Sequence, residues 1–180
     1  MSGYVEGLLN SNRQMLKIFE ASYSATRPPK GGFISLPSDL YELRNSPSDW
    51  AVYLDDLQGM VLESMKMATA DRAGALSCGG WIMTGRQSID RNLPIFVTLS
   101  AAGSGLSGNR FGGFVSDRVN RSDVVQLLSF EKEESWCGFR IDLNLSKVLP
   151  GVYDLEFIVA DASKLSRGYV VASEARVVIG

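Results

Sequence analysis

The sequence predicts an α+β protein in which two N-terminal helices, at about residues 3–25 and 47–73, pack on a C-terminal antiparallel β-sandwich or open barrel of five or six strands. Three observations lead to this class. Apolar residues before position 75 recur at helical spacing, and after it they alternate with polar ones. The alternating segments are also joined by turns, with no helix between them to carry the crossover that parallel strands need. The 180 residues suffice for one domain, with 1–74 its mainly helical part and 75–180 its mainly β part.

The first helix is read from Tyr4, Leu8, Met15, Leu16, Phe19 and Tyr23, and Pro28-Pro29 ends it because a residue before proline is pushed out of helical backbone. Phe33 to Leu36 reads as a short extended piece, followed by a turn or short helix from Pro37 through Arg44. Ser46-Pro47-Ser48-Asp49 resembles a helix start: a serine cap, proline at the first helical position and a carboxylate three residues after the cap. Behind it Trp50, Tyr53, Leu54, Leu57, Met60, Val61, Met65 and Ala68 recur at three and four, with Gly59 as a kink or early end.

The β part begins with the weaker candidates Trp81–Thr84, Ile95–Ser100 and 124–130. The strong ones follow. Cys137, Phe139, Ile141 and Leu143 alternate with polar residues, as do Tyr153, Leu155, Phe157 and Val159. A turn at Pro150-Gly151 separates these two runs, and a last strand spans Tyr169 to Ile179.

Composition narrows the chemistry. The chain has no histidine, which removes the usual general base near neutral pH, the commonest metal ligand and the Ser-His and Cys-His catalytic pairs. Cys78 and Cys137 are the only cysteines, too few for a tetrahedral zinc site, and read as two buried reduced thiols. A formal net charge of −2 argues against a chain devoted to coating nucleic acid. No apolar run approaches the roughly 20 residues of a membrane-spanning helix, and no signal peptide is visible. The expected location is the cytoplasm, including the surface of a membrane or a virion. No metal or cofactor is expected.

Gly103-Ser104-Gly105-Leu106-Ser107-Gly108 matches a dinucleotide-binding glycine pattern, but Gly112 and Gly113 follow where that motif needs a helix. It reads instead as a flexible glycine-rich loop, 101–113. Around it lie Arg86, Arg91, Arg110, Arg118 and Arg121 against only Asp90 and Asp117. With Phe111, these arginines form the expected binding set, suited to phosphates, anionic lipid, RNA or a protein partner through residues 101–121. Asp55-Asp56 and the run Glu131–Glu134 read as solvated carboxylates, and Met60, Met65 and Met67 as core.

The expectation is therefore a non-enzymatic structural protein that self-associates, of the viral matrix or coat type, with the basic loop as a contact element. The alternative is a cytoplasmic adaptor or ligand-binding module that uses loop 101–113.

Overall fold

A computed structural model describes residues 32–36, 42–61, 66–129 and 134–180. Strands make up 60% of these residues. They are β1 (Ile34–Leu36), β2 (Glu42–Asn45), β3 (Trp50–Leu57), β4 (Met60–Val61), β5 (Met67–Ala70), β6 (Ala75–Thr84), β7 (Ile95–Ala101), β8 (Arg110–Phe114), β9 (Asp117–Val119), β10 (Gly138–Asn144), β11 (Gly151–Asp161) and β12 (Lys164–Ile179). One α-helix, α1 (Ser122–Leu128), occurs among the described residues.

The strands form two sheets. One has five strands in the order β4-β3-β6-β10-β9. The other runs β1-β8-β7-β11-β12-β2, with β5 also on β12. Alternation explains how they pack: in β10, Phe139, Ile141 and Leu143 are buried while Arg140 and Asp142 are exposed. The inward residues of both sheets share one apolar core, where Phe139 meets Phe157 of β11 with ring centroids 4.7 Å apart. Each fully buried large side chain there contributes about 1.5–3 kcal/mol. The seven-stranded sheet is buried on its outer face too, where Phe96, Ile158 and Val170 lie under Ile34, Leu36, Leu43, Leu106 and Phe114.

The strands read from alternation are present as β10, β11 and β12, and Trp81–Thr84 and Ile95–Ser100 fall within β6 and β7. The α+β class is corrected. The expected helix at 47–73 is instead β3, β4 and β5. Ser46-Pro47-Ser48-Asp49 makes a turn in which Trp50 N donates to Pro47 O at 3.0 Å. Leu54 then faces Gly80 and Asp56 faces Gly79, so Asp55 is the extra residue of a β-bulge. The bulge explains the misleading period: inward residues Trp50, Val52 and Leu54 step by two, and the extra residue lengthens the next step, to Leu57, to three. Gln58 and Gly59 both have positive φ, 53° and 75°, which gives the two-residue hairpin turn that returns the chain into β4.

Three smaller expectations are also overturned. Residues 122–128 are helix α1, whereas a strand is expected at 124–130. The end of the expected turn or short helix, Glu42 to Arg44, lies instead in strand β2 (Glu42–Asn45). The sheet is not wholly antiparallel: β2 pairs parallel with Arg167–Val170 of β12, and β5 pairs parallel with Arg176–Ile179. Between these stretches β12 is irregular, and Glu174 has φ 61°. The helix expected at 3–25 lies outside the described residues.

Candidate functional site

The segment Ser135–Cys137 gathers three of the arginines singled out in the sequence. It is pinned from both sides. Ile89 N donates to Ser135 Oγ (3.0 Å) and Trp136 N donates to Ile89 O (2.9 Å). From β10's other neighbour, Arg121 N donates to Ser135 O (2.9 Å) and Asn120 Oδ1 accepts from Ser135 N (3.2 Å). Arg91, Arg118 and Arg121 each settle against this segment or against the tryptophan rings beside it.

Arg121 lies over the outer face of the five-stranded sheet. Tyr53, Trp81, Gly138 and Val119 stand in one row across that face, since Tyr53 faces Trp81, Trp81 faces Gly138 and Gly138 faces Val119. Tyr53 and Trp81 stack at 4.4 Å between centroids. The Arg121 guanidinium sits 6.0 Å from the Trp81 ring centroid, within cation–π range. A side chain at position 138 would collide with the Arg121 stem, so glycine is what lets the arginine lie down on the sheet.

Arg121 also bridges two acids, Asp123 Oδ2 at 2.7 Å and Asp55 Oδ2 at 3.4 Å. The hydrogen bond from Arg121 holds the Asp123 carboxyl down at about 2. The bulge is what supplies Asp55, because the unpaired residue leaves the regular alternation of β3.

Arg118 is held differently. Its Nε and Nη2 donate to Trp136 O, and its Nη1 donates to Leu93 O at 2.9 Å. Burial pulls it down to about 10, with Cys137 and Asp90 acting in the opposite direction. Arg91, exposed, lies 4.6 Å over the Trp136 ring.

The remaining expected residues stay outside this arrangement. Arg86 is exposed in the turn after β6. Arg110 is 4% exposed and serves its own loop: Nη1 donates to Leu106 O (2.7 Å) and Gly108 O (3.2 Å), Nη2 donates to Gly105 O (2.8 Å), and Nη2 pairs with Glu156 at 3.3 Å. Of the expected loop 101–113, Ala101 closes β7 and residues 110–113 belong to β8. Gly105–Ser107 forms a short 3-10 turn closed around a buried guanidinium, and β8 begins at Arg110. Phe111 packs edge-on against Tyr153 at 5.9 Å.

Cys78 and Cys137 are both buried free thiols. Burial pushes Cys78 up to about 12 and raises Cys137 as well, so neither is a reactive thiolate. Met60 is partly buried against the core, whereas Met67 is exposed; Met65 lies outside the described residues, as do Glu131 to Glu133, while Glu134 is exposed.

Sequence reasoning missed Tyr53, Trp81, Trp136, Asp55 and Asp123. The legible signal was Tyr53, an aromatic placed between the inward Val52 and Leu54 once the segment is read as a strand.

The arrangement offers aromatic faces, guanidinium groups and carboxylates on one surface. Counting Asp55 and Asp123, it carries more negative charge than residues 86–121 alone supply. Among the described residues no helix is long and apolar enough to cross a membrane. Comparison with family models, with curated proteins and with solved structures finds no match for this chain.

Proposed function

We propose that this chain is a non-enzymatic structural protein that assembles with copies of itself, of the viral matrix or coat type, and that the outer face of its five-stranded sheet forms the contact. One observation carries this reading: Tyr53, Trp81 and Arg121 lie together on the outer face of the five-stranded sheet, where Tyr53 is exposed. Tyrosine, tryptophan and arginine are the residues that dominate binding energy at protein interfaces.

The charges favour a second copy as the partner. Arg121 and Arg140 share this face with Asp55, Asp56 and Asp117, so a two-fold related copy can set its acids against these bases. A nucleic-acid backbone, by contrast, meets those carboxylates as like charges. The total absence of histidine supports the non-enzymatic part of the reading.

Sedimentation velocity over a wide concentration range tests it. The wild-type chain is expected to associate as concentration rises. A variant carrying Trp81→Ser and Arg121→Glu is expected to remain a monomer, with its far-ultraviolet circular dichroism unchanged. A wild-type protein that stays monomeric at high concentration, or a variant that associates as well as wild type, rejects the reading.

A further inference from the structure

The side of the sandwich where β9 approaches the entry to β7 carries a second feature, a cleft of about 350 Å3. Arg91, Asn92, Leu93, Phe114, Ser116 and Arg118 are among the residues that line it. Arg118 stands opposite the inward residue Phe139 in the register of β9 and β10, so its side chain leaves the outer face and enters the cleft wall.

The three bonds from Arg118 to the carbonyls of Trp136 and Leu93 orient its guanidinium but do not neutralise it. A guanidinium has five N–H groups, so two remain for another acceptor. Among the described residues, no carboxylate lies within ion-pair distance of Arg118 or Arg91. The acid nearest in sequence to Arg91, Asp90, spends Oδ1 on the Asn92 N–H at 2.8 Å. A half-buried cation hydrogen-bonded only to carbonyls, with Asp90 acting on it beyond ion-pair distance, is an arrangement that an incoming anion relieves.

We infer that this cleft is a phosphate-binding site in which Arg118 and Arg91 take the oxygens of a phosphate group or a small phosphate ester. Guanidinium groups match the phosphate oxygens in pairs, and Arg91 is pre-oriented by lying on Trp136. Leu93 and Phe114 add an apolar wall that accommodates the organic part of an ester. Burial of Arg118 agrees with this, since it leaves that cation short of solvation. Asp117 also lines the cleft and opposes the anion, but alternation sets it across from Arg140 on the outer face. The inference holds whether or not the chain self-associates.

The test is an NMR titration of the full chain with sodium phosphate, against sodium chloride at matched ionic strength. It follows the arginine Nε–H signals and the Trp136 indole. Saturable shifts with phosphate and none with chloride are expected. Arg91→Ala is expected to weaken binding about tenfold, the loss of one charge-assisted bond. Asp117→Asn is expected to tighten it about threefold, by removing a nearby like charge. Both positions are exposed, so the fold is not at stake.

Flotation with phosphatidic acid vesicles distinguishes the source: capture that free phosphate competes away identifies a lipid headgroup, and saturable phosphate binding without capture identifies a soluble phosphate. Shifts no larger than those with chloride, or affinity unmoved by both variants, overturn the inference.

Discussion

The outer faces of the two sheets differ in what covers them. On the seven-stranded sheet Phe96, Ile158 and Val170 are buried beneath Leu106, Leu43 and the residues of β1. Arg110 is buried with them and neutralised by Glu156. On the five-stranded sheet Tyr53 is 45% exposed, and Arg121 lies over Trp81 and between Asp55 and Asp123, both exposed. The first face is finished within the chain; the second has aromatic surface left over. Arginine serves both, as a clamp for loop carbonyls in one place and as a bridge between exposed acids in the other.

The largest effects should come from breaking the closed face. Arg110→Met strands the Glu156 carboxylate and leaves the Gly105, Leu106 and Gly108 carbonyls without their donor. Removing one partner of a buried pair costs about 3–5 kcal/mol. The double variant Arg110→Met, Glu156→Leu is expected to recover part of that loss. Urea unfolding of the single and double variants measures both.

A matched pair of truncations sharpens the contrast. Phe96→Ala is expected to cost about 3–5 kcal/mol, as aromatic deletions in close-packed regions do. Tyr53→Ala removes a half-exposed ring and is expected to cost less than about 1 kcal/mol. Equal losses in the two variants would erase the distinction between the faces.

The smallest effect concerns pH. Hydrogen bonds from Lys164 and Arg44 hold the Glu42 carboxyl at about 2, against an ordinary 4.5. A depressed carboxyl contributes stability above its unfolded value and loses it as pH falls through the folded one. The protection of the β2 amides, measured against the intrinsic exchange rate at each pH, is therefore expected to fall between about pH 4.5 and 2. Constant protection over that window counts against the role of Glu42 in holding β2 to β12.

What could be read from the sequence was whatever alternates without interruption. β10, β11 and β12 each carry a run of strict alternation, and those runs were legible. β3 was not, because one inserted residue, Asp55, turns a period of two into a step of three that copies a helix. Helix α1 failed in the opposite direction: its apolar residues Val124, Val125, Leu127 and Leu128 fall within seven positions, too few to separate the two periods. The parallel pairing of β2 and β5 with β12 depends on contacts between residues more than a hundred positions apart. No local pattern encodes it.

The site was half legible. Arg91, Arg118 and Arg121 stand out in the sequence and gather around Ser135–Cys137, but the acids that meet Arg121, Asp55 and Asp123, both lie outside residues 86–121. Arg110 looked like a loop cation because glycine and serine surround it. The same small residues are what allow three carbonyls to close on its guanidinium.

The long strand β12 is flanked by two four-residue strands, β2 and β5, with residues 171–175 between them. An incoming strand that sought to extend this sheet would meet two short stubs separated along β12, rather than one continuous ladder of free amides and carbonyls. Brief, interrupted borders of this kind discourage runaway fibril growth.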